Sequence, residues 1–341
     1  MFWKLNALTS GGGRTMILDD KLAAGDVIVL DGATGTEIQR LGVPMHGAAW
    51  CALANKTQPD AVRQVHESYI RAGANVITAN TYATSRHMLE SVGLADETRD
   101  INRRAVELAL EARDNVESSQ PVVVAGSISH MRARIPGGFE RDPRFLPTPE
   151  REAENFNEMA EILAEAGCEL LLMEMMFFTE PAIAATQAAM AAGLPVWVGL
   201  SCARANDGSL CGTAIHDCPG APRGSIAIED KLPLETLIDS LAALEPQVMG
   251  IMHSHVDNTG PGLETLYERW PGPVMAYPET ADFVSLDSTP ELTSTASEFA
   301  AHCRAWVEGG VQIIGGCCGT TIEHIEAMVA ELPARPGRRP G

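Results

Sequence analysis

The stretch Val311-Gln312-Ile313-Ile314-Gly315-Gly316-Cys317-Cys318-Gly319 joins a short β-branched run to two adjacent cysteines set among glycines. Such a run, bounded by turn residues, describes a buried strand that stops abruptly. Flanking glycines let the backbone turn sharply, so that neighbouring side chains, which otherwise diverge, converge on one ion. Two thiolates suit zinc, which takes Cys and His ligands in a tetrahedron. Two buried apolar cysteines, or a vicinal redox pair, remain equal alternatives on these residues alone.

Further back along the chain the same arrangement recurs seven times. Residues 26–30 end at Asp31-Gly32, residues 75–79 at Asn80-Thr81-Tyr82, and residues 121–125 at Gly126-Ser127. Residues 169–173 end at Glu174, residues 195–200 at Ser201-Cys202, residues 247–252 at His253, and the weakest run, 273–276, at Tyr277. Helical patterns lie between. Residues 59–73 put Val62, Val65, Tyr69 and Ile70 on one face, and residues 152–167 do so with Phe156, Met159, Ile162 and Leu163. Residues 298–310 are expected to turn Ala301, Ala305 and Trp306 inward. Each of these helices ends in a small-residue turn directly before a strand, the mark of parallel βαβ units.

Eight strands alternating with helices fit a closed barrel or a doubly wound open sheet. The chemistry decides between them. Asp31, Asn80, Glu174, Ser201, His253 and the Cys317-Cys318 pair all sit at strand C-termini. A barrel gathers eight such ends around one mouth, where an open sheet would spread them out. The expected fold is therefore α/β, a single-domain (β/α)₈ TIM barrel over residues 19–332, between flexible tails at 1–18 and 333–341.

The bulk numbers agree with a soluble globular chain: 341 residues, 45% hydrophobic and 21% charged. A net charge of −20 excludes nucleic acid as a partner, because phosphates would repel it. No apolar run is long enough to span a membrane. Met1 to Met16 lacks the apolar core and cleavage site of a signal peptide, and Met16 is a second candidate start. Eight cysteines scattered without extracellular signals point to a reducing cytoplasm.

At this point the sequence resembles the homocysteine S-methyltransferase family, on Asp31-Gly32-Ala33-Thr34-Gly35-Thr36-Glu37, residues 72–82, Ala125-Gly126-Ser127, Leu172-Met173-Glu174, Gly199-Leu200-Ser201-Cys202 and residues 313–319. These matches run in the family's order over nearly the whole chain, and the first and last are the specific ones. The resemblance implies a catalytic Zn²⁺ held by three cysteines, of which Cys317 and Cys318 are two. The third normally stands in a Gly-x-Asn-Cys context on the sixth strand. Here Gly250-Ile251-Met252-His253-Ser254-His255 puts histidine in its place. His/Cys/Cys with an open position is an established catalytic zinc set, so His253 is the candidate third ligand and His255 the fallback. With a neutral imidazole for a thiolate, the centre is one unit less negative, and the acceptor sulfur it holds is less electron-rich.

The implied reaction moves a methyl group from a small onium donor, such as betaine or S-methylmethionine, to the thiol of homocysteine, giving methionine. The resemblance assigns Glu174 to the acceptor's ammonium group, with Asp31 close by. A carboxylate at the end of an apolar strand needs such a cationic partner. The turn at Thr34 offers backbone N–H groups to a carboxylate, and Thr81 and Ser201 are weaker candidate donors. Trp50 either presents an aromatic face to the methyl donor or anchors its loop on the barrel rim; Tyr82 or Tyr277 would add a second wall.

The family's Gly-Pro motif after the third strand is replaced by Ser127-Ile128-Ser129-His130-Met131. Arg132, Arg134, Arg141, Arg144 and Arg151 follow, either binding an anionic end or forming a solvated loop. Cys211, His216 and Cys218 are too few for a second metal centre and read as loop residues, while Cys168 and Cys303 read as core. Two other readings stand beside the first: a sibling methyltransferase with another thiol acceptor, and a non-catalytic barrel that binds an amino acid or thiol. A homo-oligomer is left open.

Overall fold

The computed structural model describes residues 17–46, 48–135, 140–205, 207–213, 225–226, 232–282 and 291–339. Eight strands form one parallel sheet: β1 (Ile28–Val29), β2 (Val76–Ala79), β3 (Val123–Ser129), β4 (Leu170–Met176), β5 (Val196–Leu200), β6 (Val248–His255), β7 (Val274–Glu279) and β8 (Ile313–Ile314). Each pairs with its neighbour in sequence, and β8 pairs back onto β1 through Ile28↔Ile313 and Val29↔Ile314. The ring closes between β1 and β2 by a Leu30–Val76 bridge, with Asn75 N donating to Val29 O (2.8 Å) and Asp31 N to Val76 O (3.0 Å). The expected (β/α)₈ barrel is the fold.

A helix follows every strand: α1 (Pro59–Arg71), α2 (Thr98–Asn115), α3 (Pro149–Ala166), α4 (Thr179–Ala191), α5 (Leu234–Ala242), α6 (Val256–Tyr267), α7 (Ala296–Glu308) and α8 (Ile322–Glu331). The faces of α1 and α3 are buried as their periodicity predicts. That of α7 is not. Phe299, Ala300, Cys303 and Val307 face inward, whereas Ala301 and Ala305 are exposed and Trp306 stacks on His302. Phe, Cys and Val at helical spacing bury more apolar surface than two alanines and a snorkelling Trp, so the helix is rotated from the expected face. The turns into β2, β4 and β8 place Gly73, Gly167 and Gly310 at φ of 107°, 108° and 104°, which a residue with a Cβ rarely adopts.

Alternate residues of each strand enter different layers. Ile28, Leu30, Leu170, Leu172, Trp197 and Val248 fill the barrel interior. Val29, Leu171, Val198 and Met249 pack outward against the helices. Burial on both faces is why the strands read as unbroken apolar runs. Among the described residues, Trp197 is the largest fully buried side chain, its Nε1 donating to Gln247 Oε1 at 2.7 Å. Trp197→Ala is expected to cost about 3–5 kcal/mol, a loss to be read from urea unfolding. Trp197→Phe should cost much less.

Residues at both tail boundaries pack against the barrel. Leu18 is packed into the interior cluster from a helical turn over 17–24, because the bottom of the barrel needs an apolar plug. Residues 333–339, expected as a free tail, lie along the barrel: Val27 N donates to Ala334 O (3.1 Å) and Gly337 N to Val307 O (2.8 Å). After β5 the chain adds a small four-stranded sheet, of which Cys202–Ala205 and Leu210–Gly212 are the central pair. Cys211 is buried there within a strand, while His216, Cys218 and Met1–Met16 lie outside the described residues. Among the described residues, no helix is long and apolar enough to cross a membrane.

Candidate active site and metal centre

Beyond β8 the chain is pressed against β1. A Cβ at Gly315 would lie 2.5 Å from the Leu30 Cβ, and one at Gly316 would strike the Thr320 side chain. These glycines thus permit close approach, and Gly319 alone of the three supplies a left-handed turn, at φ 82°. Gly316 N donates to Asp31 O (3.1 Å) and Cys317 N to Pro278 O (2.8 Å). The cysteine pair is thereby fixed between the ends of β1 and β7.

His253 reaches the pair by an irregularity in β6. The strand runs past Met252 to His255, and its register with β7 shifts between those residues. At the shift His253 takes φ 44°, an uncommon conformation for a residue with a side chain. A bulge beside a functional site re-aims a side chain, and this one aims imidazole at sulfur. His253 Nδ1 lies 3.4 Å from Cys317 Sγ, which lies 3.9 Å from Cys318 Sγ. Ligand atoms of all three fall within 4.8 Å of one another. Zn–S bonds of about 2.3 Å at the tetrahedral angle separate two sulfurs by about 3.8 Å, so the spacing and the donor types both fit zinc. The Cys318 hydrogen bond and burial hold the Cys317 thiol well above its usual range, so that a cation is needed to draw off its proton. His255 is not part of this group; its ring accepts from Asp257 N (3.3 Å) at the start of α6.

A cavity of about 1010 Å³, including its open mouth, lies above the centre. Asp31, Thr34, Trp50, Glu174, His253, Cys317 and Cys318 all line it. Asp31 accepts from Thr78 N (2.7 Å) and Thr78 Oγ1 (3.0 Å), yet burial outweighs both bonds and pushes its carboxyl up to about 8. Glu174 accepts from Ser127 Oγ, and burial pushes it up to about 7. A second register shift, between Met173 and Met176, surrounds Glu174 and leaves Met175 at φ 57°. Both bulged strands therefore carry a chemically active side chain at the irregularity.

Trp50 is in the wall and in its loop's anchorage at once. Its ring meets Tyr82 edge-on with centroids 5.8 Å apart, and its backbone bridges to His46. Cys51, to which the sequence assigns nothing, donates to Asn80 Oδ1 (3.0 Å), and Asn80 Nδ2 donates to Cys51 O (3.1 Å) and Asn55 Oδ1 (2.9 Å), fixing the loop behind Trp50. Tyr82 Oη donates to Met175 Sδ (3.0 Å).

Two of the expected donors are engaged within the sheet. Thr81 does not line the cavity: its hydroxyl donates to Ser127 O (2.8 Å) and accepts from Ser127 N (3.0 Å), pinning the ends of β2 and β3 together. Ser201 is also fully buried and donates to Met252 O at 3.1 Å. Both point along the sheet, where the pleat leaves them tying neighbouring strands. Glu279, unnoticed in the sequence, is buried at the end of β7 with Oε2 3.7 Å from His253 Nδ1. Burial and the charge of Asp282 hold its carboxyl well above the usual range.

Comparison with known proteins gives four findings. The family model described as homocysteine S-methyltransferase matches residues 28–332. The homocysteine S-methyltransferase YbgG of Bacillus subtilis is 26% identical over 89% of this chain and 94% of its own. The betaine–homocysteine S-methyltransferase 1 of Danio rerio is 28% identical over 96% and 78% respectively. In fold, the metallated homocysteine methyltransferase MmuM of Escherichia coli superposes with a TM-score of 0.69 at 23% identity, over 93% of this chain and 99% of that one.

Proposed function

The chain belongs to the homocysteine S-methyltransferase family, and from that premise we propose that it transfers a methyl group from a small onium donor to the thiol of homocysteine at a zinc centre of His253, Cys317 and Cys318. The observation that carries this reading is the convergence of one imidazole and two thiols, from separate strands, at the spacing of a tetrahedral metal site beside Glu174 and Asp31. When bound there, zinc keeps the acceptor sulfur as thiolate at neutral pH.

The protein's own groups do the rest. Glu174 pairs with the acceptor's α-ammonium, with Asp31 as the second carboxylate on that wall, and Thr34 stands where the acceptor's carboxylate meets backbone N–H. Glu279 lies beside the same His253 nitrogen that faces Cys317. Trp50 and Tyr82 supply the aromatic surface for the donor's cation, whose attraction to a ring face is worth most where water is excluded. Held this way, the acceptor sulfur attacks the methyl carbon in line. The carbon's bond to the donor heteroatom breaks, and that atom keeps the electron pair and loses its positive charge. Orienting both reactants replaces a bimolecular encounter by a reaction within one complex. The thiols at the centre require a reducing compartment, for which we propose the cytoplasm.

The test is methionine formation by the reduced, zinc-loaded protein from homocysteine with betaine and with S-methylmethionine. Steady turnover with either donor is the expected result. Homocysteine binding with no methionine from any onium donor would sink the proposal in favour of a binding protein.

A further inference from the structure

A carboxylate on a side chain with several rotatable bonds must be held if it is to meet an ammonium group in one geometry. Among the described residues one hydrogen bond reaches the Glu174 side chain: Ser127 Oγ donates to Oε2, which leaves Oε1 for a ligand. The two residues lie on neighbouring strands. Ser127 stands opposite Leu172 in the β3–β4 register and Ser129 opposite Glu174, so the hydroxyl reaches two positions along the sheet.

Ser127 is itself braced from its other side. The β2–β3 ladder ends at the pair Ala79–Gly126. Beyond it the Thr81 hydroxyl takes over both roles of a strand backbone, accepting from Ser127 N (3.0 Å) and donating to Ser127 O (2.8 Å). A hydroxyl can do both at once, because it is a donor and an acceptor. Thr81 and Ser127 are fully buried, so the contacts run from the core outward to Glu174 in the cavity wall.

The ionisable groups that share the field of Glu174 are Asp31 after β1, Cys51 and Tyr82 in the loops after β1 and β2, Tyr277 on β7 and Cys317 after β8. None of these can carry a positive charge. His253 and Cys318 line the cavity with Cys317 at the metal centre. Arg134 lines it on the side of Tyr82, carried by a short ladder in which Ile135 N donates to Glu140 O and Asp142 N to Ala133 O, both at 2.8 Å. The Ser127 hydroxyl is thus the group that works against burial at the Glu174 carboxyl.

We propose that Ser127, braced by Thr81, is the positioning residue of the acceptor site: its hydroxyl orients the Glu174 carboxylate and leaves one oxygen for the acceptor's ammonium. This rests on the reading of Glu174 as that ammonium's partner.

The experiment measures calorimetric binding of homocysteine and of 4-mercaptobutyrate, the same thiol acid without its ammonium, from about pH 6 to about pH 9. The reduced, zinc-loaded wild type is compared with Ser127→Ala and Glu174→Gln. Ser127→Ala should weaken homocysteine by about 10- to 100-fold at neutral pH, as the loss of one hydrogen bond to a charged group implies, and 4-mercaptobutyrate far less. The acid limb of the homocysteine profile should move up by about one pH unit, because the carboxyl has lost the donor that favours its charged form. Zinc content should not change. Thr81→Val should show the same ligand-selective loss in weaker form, and Thr81→Ser, which keeps the hydroxyl, should bind as the wild type does.

An equal loss for both ligands in Ser127→Ala, or an acid limb that stays in place, overturns the inference. If that variant does not fold, the Thr81 pair decides by the same criterion. Equal wild-type affinity for the two ligands, or homocysteine binding untouched by Glu174→Gln, ends the reading of Glu174 and this inference with it. Ammonium-selective binding that depends on Ser127 but leads to no methyl transfer would end the methyl-transfer reading alone.

Discussion

Cys317→Ser is expected to abolish stoichiometric zinc and to lower methyl transfer by on the order of 10³-fold, the equivalent of several kcal/mol of lost polarisation at the acceptor sulfur. A serine hydroxyl keeps its proton at neutral pH and is a hard, weak donor, so two ligands cannot hold the ion against solvent. His253→Ala should do the same, though less completely, because the thiols remain 3.9 Å apart on a backbone fixed by Gly316 N and Cys317 N. His253→Cys supplies a thiolate from the same bulge and should retain one zinc per chain. Metal content of the dialysed protein, together with the visible spectrum of a cobalt-substituted sample, reads these outcomes directly. A full complement of zinc in Cys317→Ser, or zinc indifferent to His253, would refute the ligand set.

The second large effect concerns pH. Burial raises Glu174 to about 7 and Asp31 to about 8 in the ligand-free site. An ammonium is held only by the ionised carboxylates, so homocysteine affinity should be full above the upper value. It should fall as pH drops through about 8 and then about 7. Glu174→Gln should lower kcat/KM by about 100-fold, roughly 3 kcal/mol for one partner of a buried charged pair. It should also flatten the lower limb of the profile, leaving any proton competition at the acceptor sulfur in place. An unaltered profile in Glu174→Gln would show that another group sets the pH dependence. The stability of the free protein should move in the opposite direction. Between the unfolded values and these raised ones the folded chain binds more protons than the unfolded chain. The two carboxyls therefore favour the fold most below their unfolded values, and that contribution is lost progressively until pH has risen through about 7 and 8. Thermal melting with and without homocysteine separates the two trends.

Most of the architecture could be read in the chain because parallel strands are buried on both faces. Runs such as Leu170-Leu171-Leu172 announce themselves without help from tertiary context. The ends of strands were harder to read. β3, β4, β6 and β7 all run beyond their apolar stretches to Ser129, Met176, His255 and Glu279. Pairing with a neighbour extends a strand through polar residues that look like a turn when viewed alone. Glu279 was hidden for this reason: Pro278-Glu279-Thr280 looks like a loop, and only the His255↔Glu279 pairing brings its carboxylate beside His253.

Direction was harder still. Thr81 and Ser201 follow strands just as Asn80 does, but their hydroxyls serve the sheet while Asn80 also lines the cavity. Five arginines on one segment look alike until the ladder around Arg134 turns one of them inward. The candidate ligand types and their order were legible. The bulge that delivers His253 was not, because no spacing rule anticipates an extra residue in a strand.

β1 and β8, at two residues each, are the shortest members of the ring, and they meet where the chain's opening and closing segments come together. Their regular ladder is only two residue pairs long, and short ladders are among the places where a protein opens first. The proposed ion, shared by His253 on β6 and the cysteines after β8, would fasten one side of the seam to a long, well-paired strand. Catalytic competence and resistance to digestion would then be two faces of one equilibrium. Under zinc scarcity, a cell would hold a loosened protein rather than merely an idle one, and its proteases would clear the unloaded copies first.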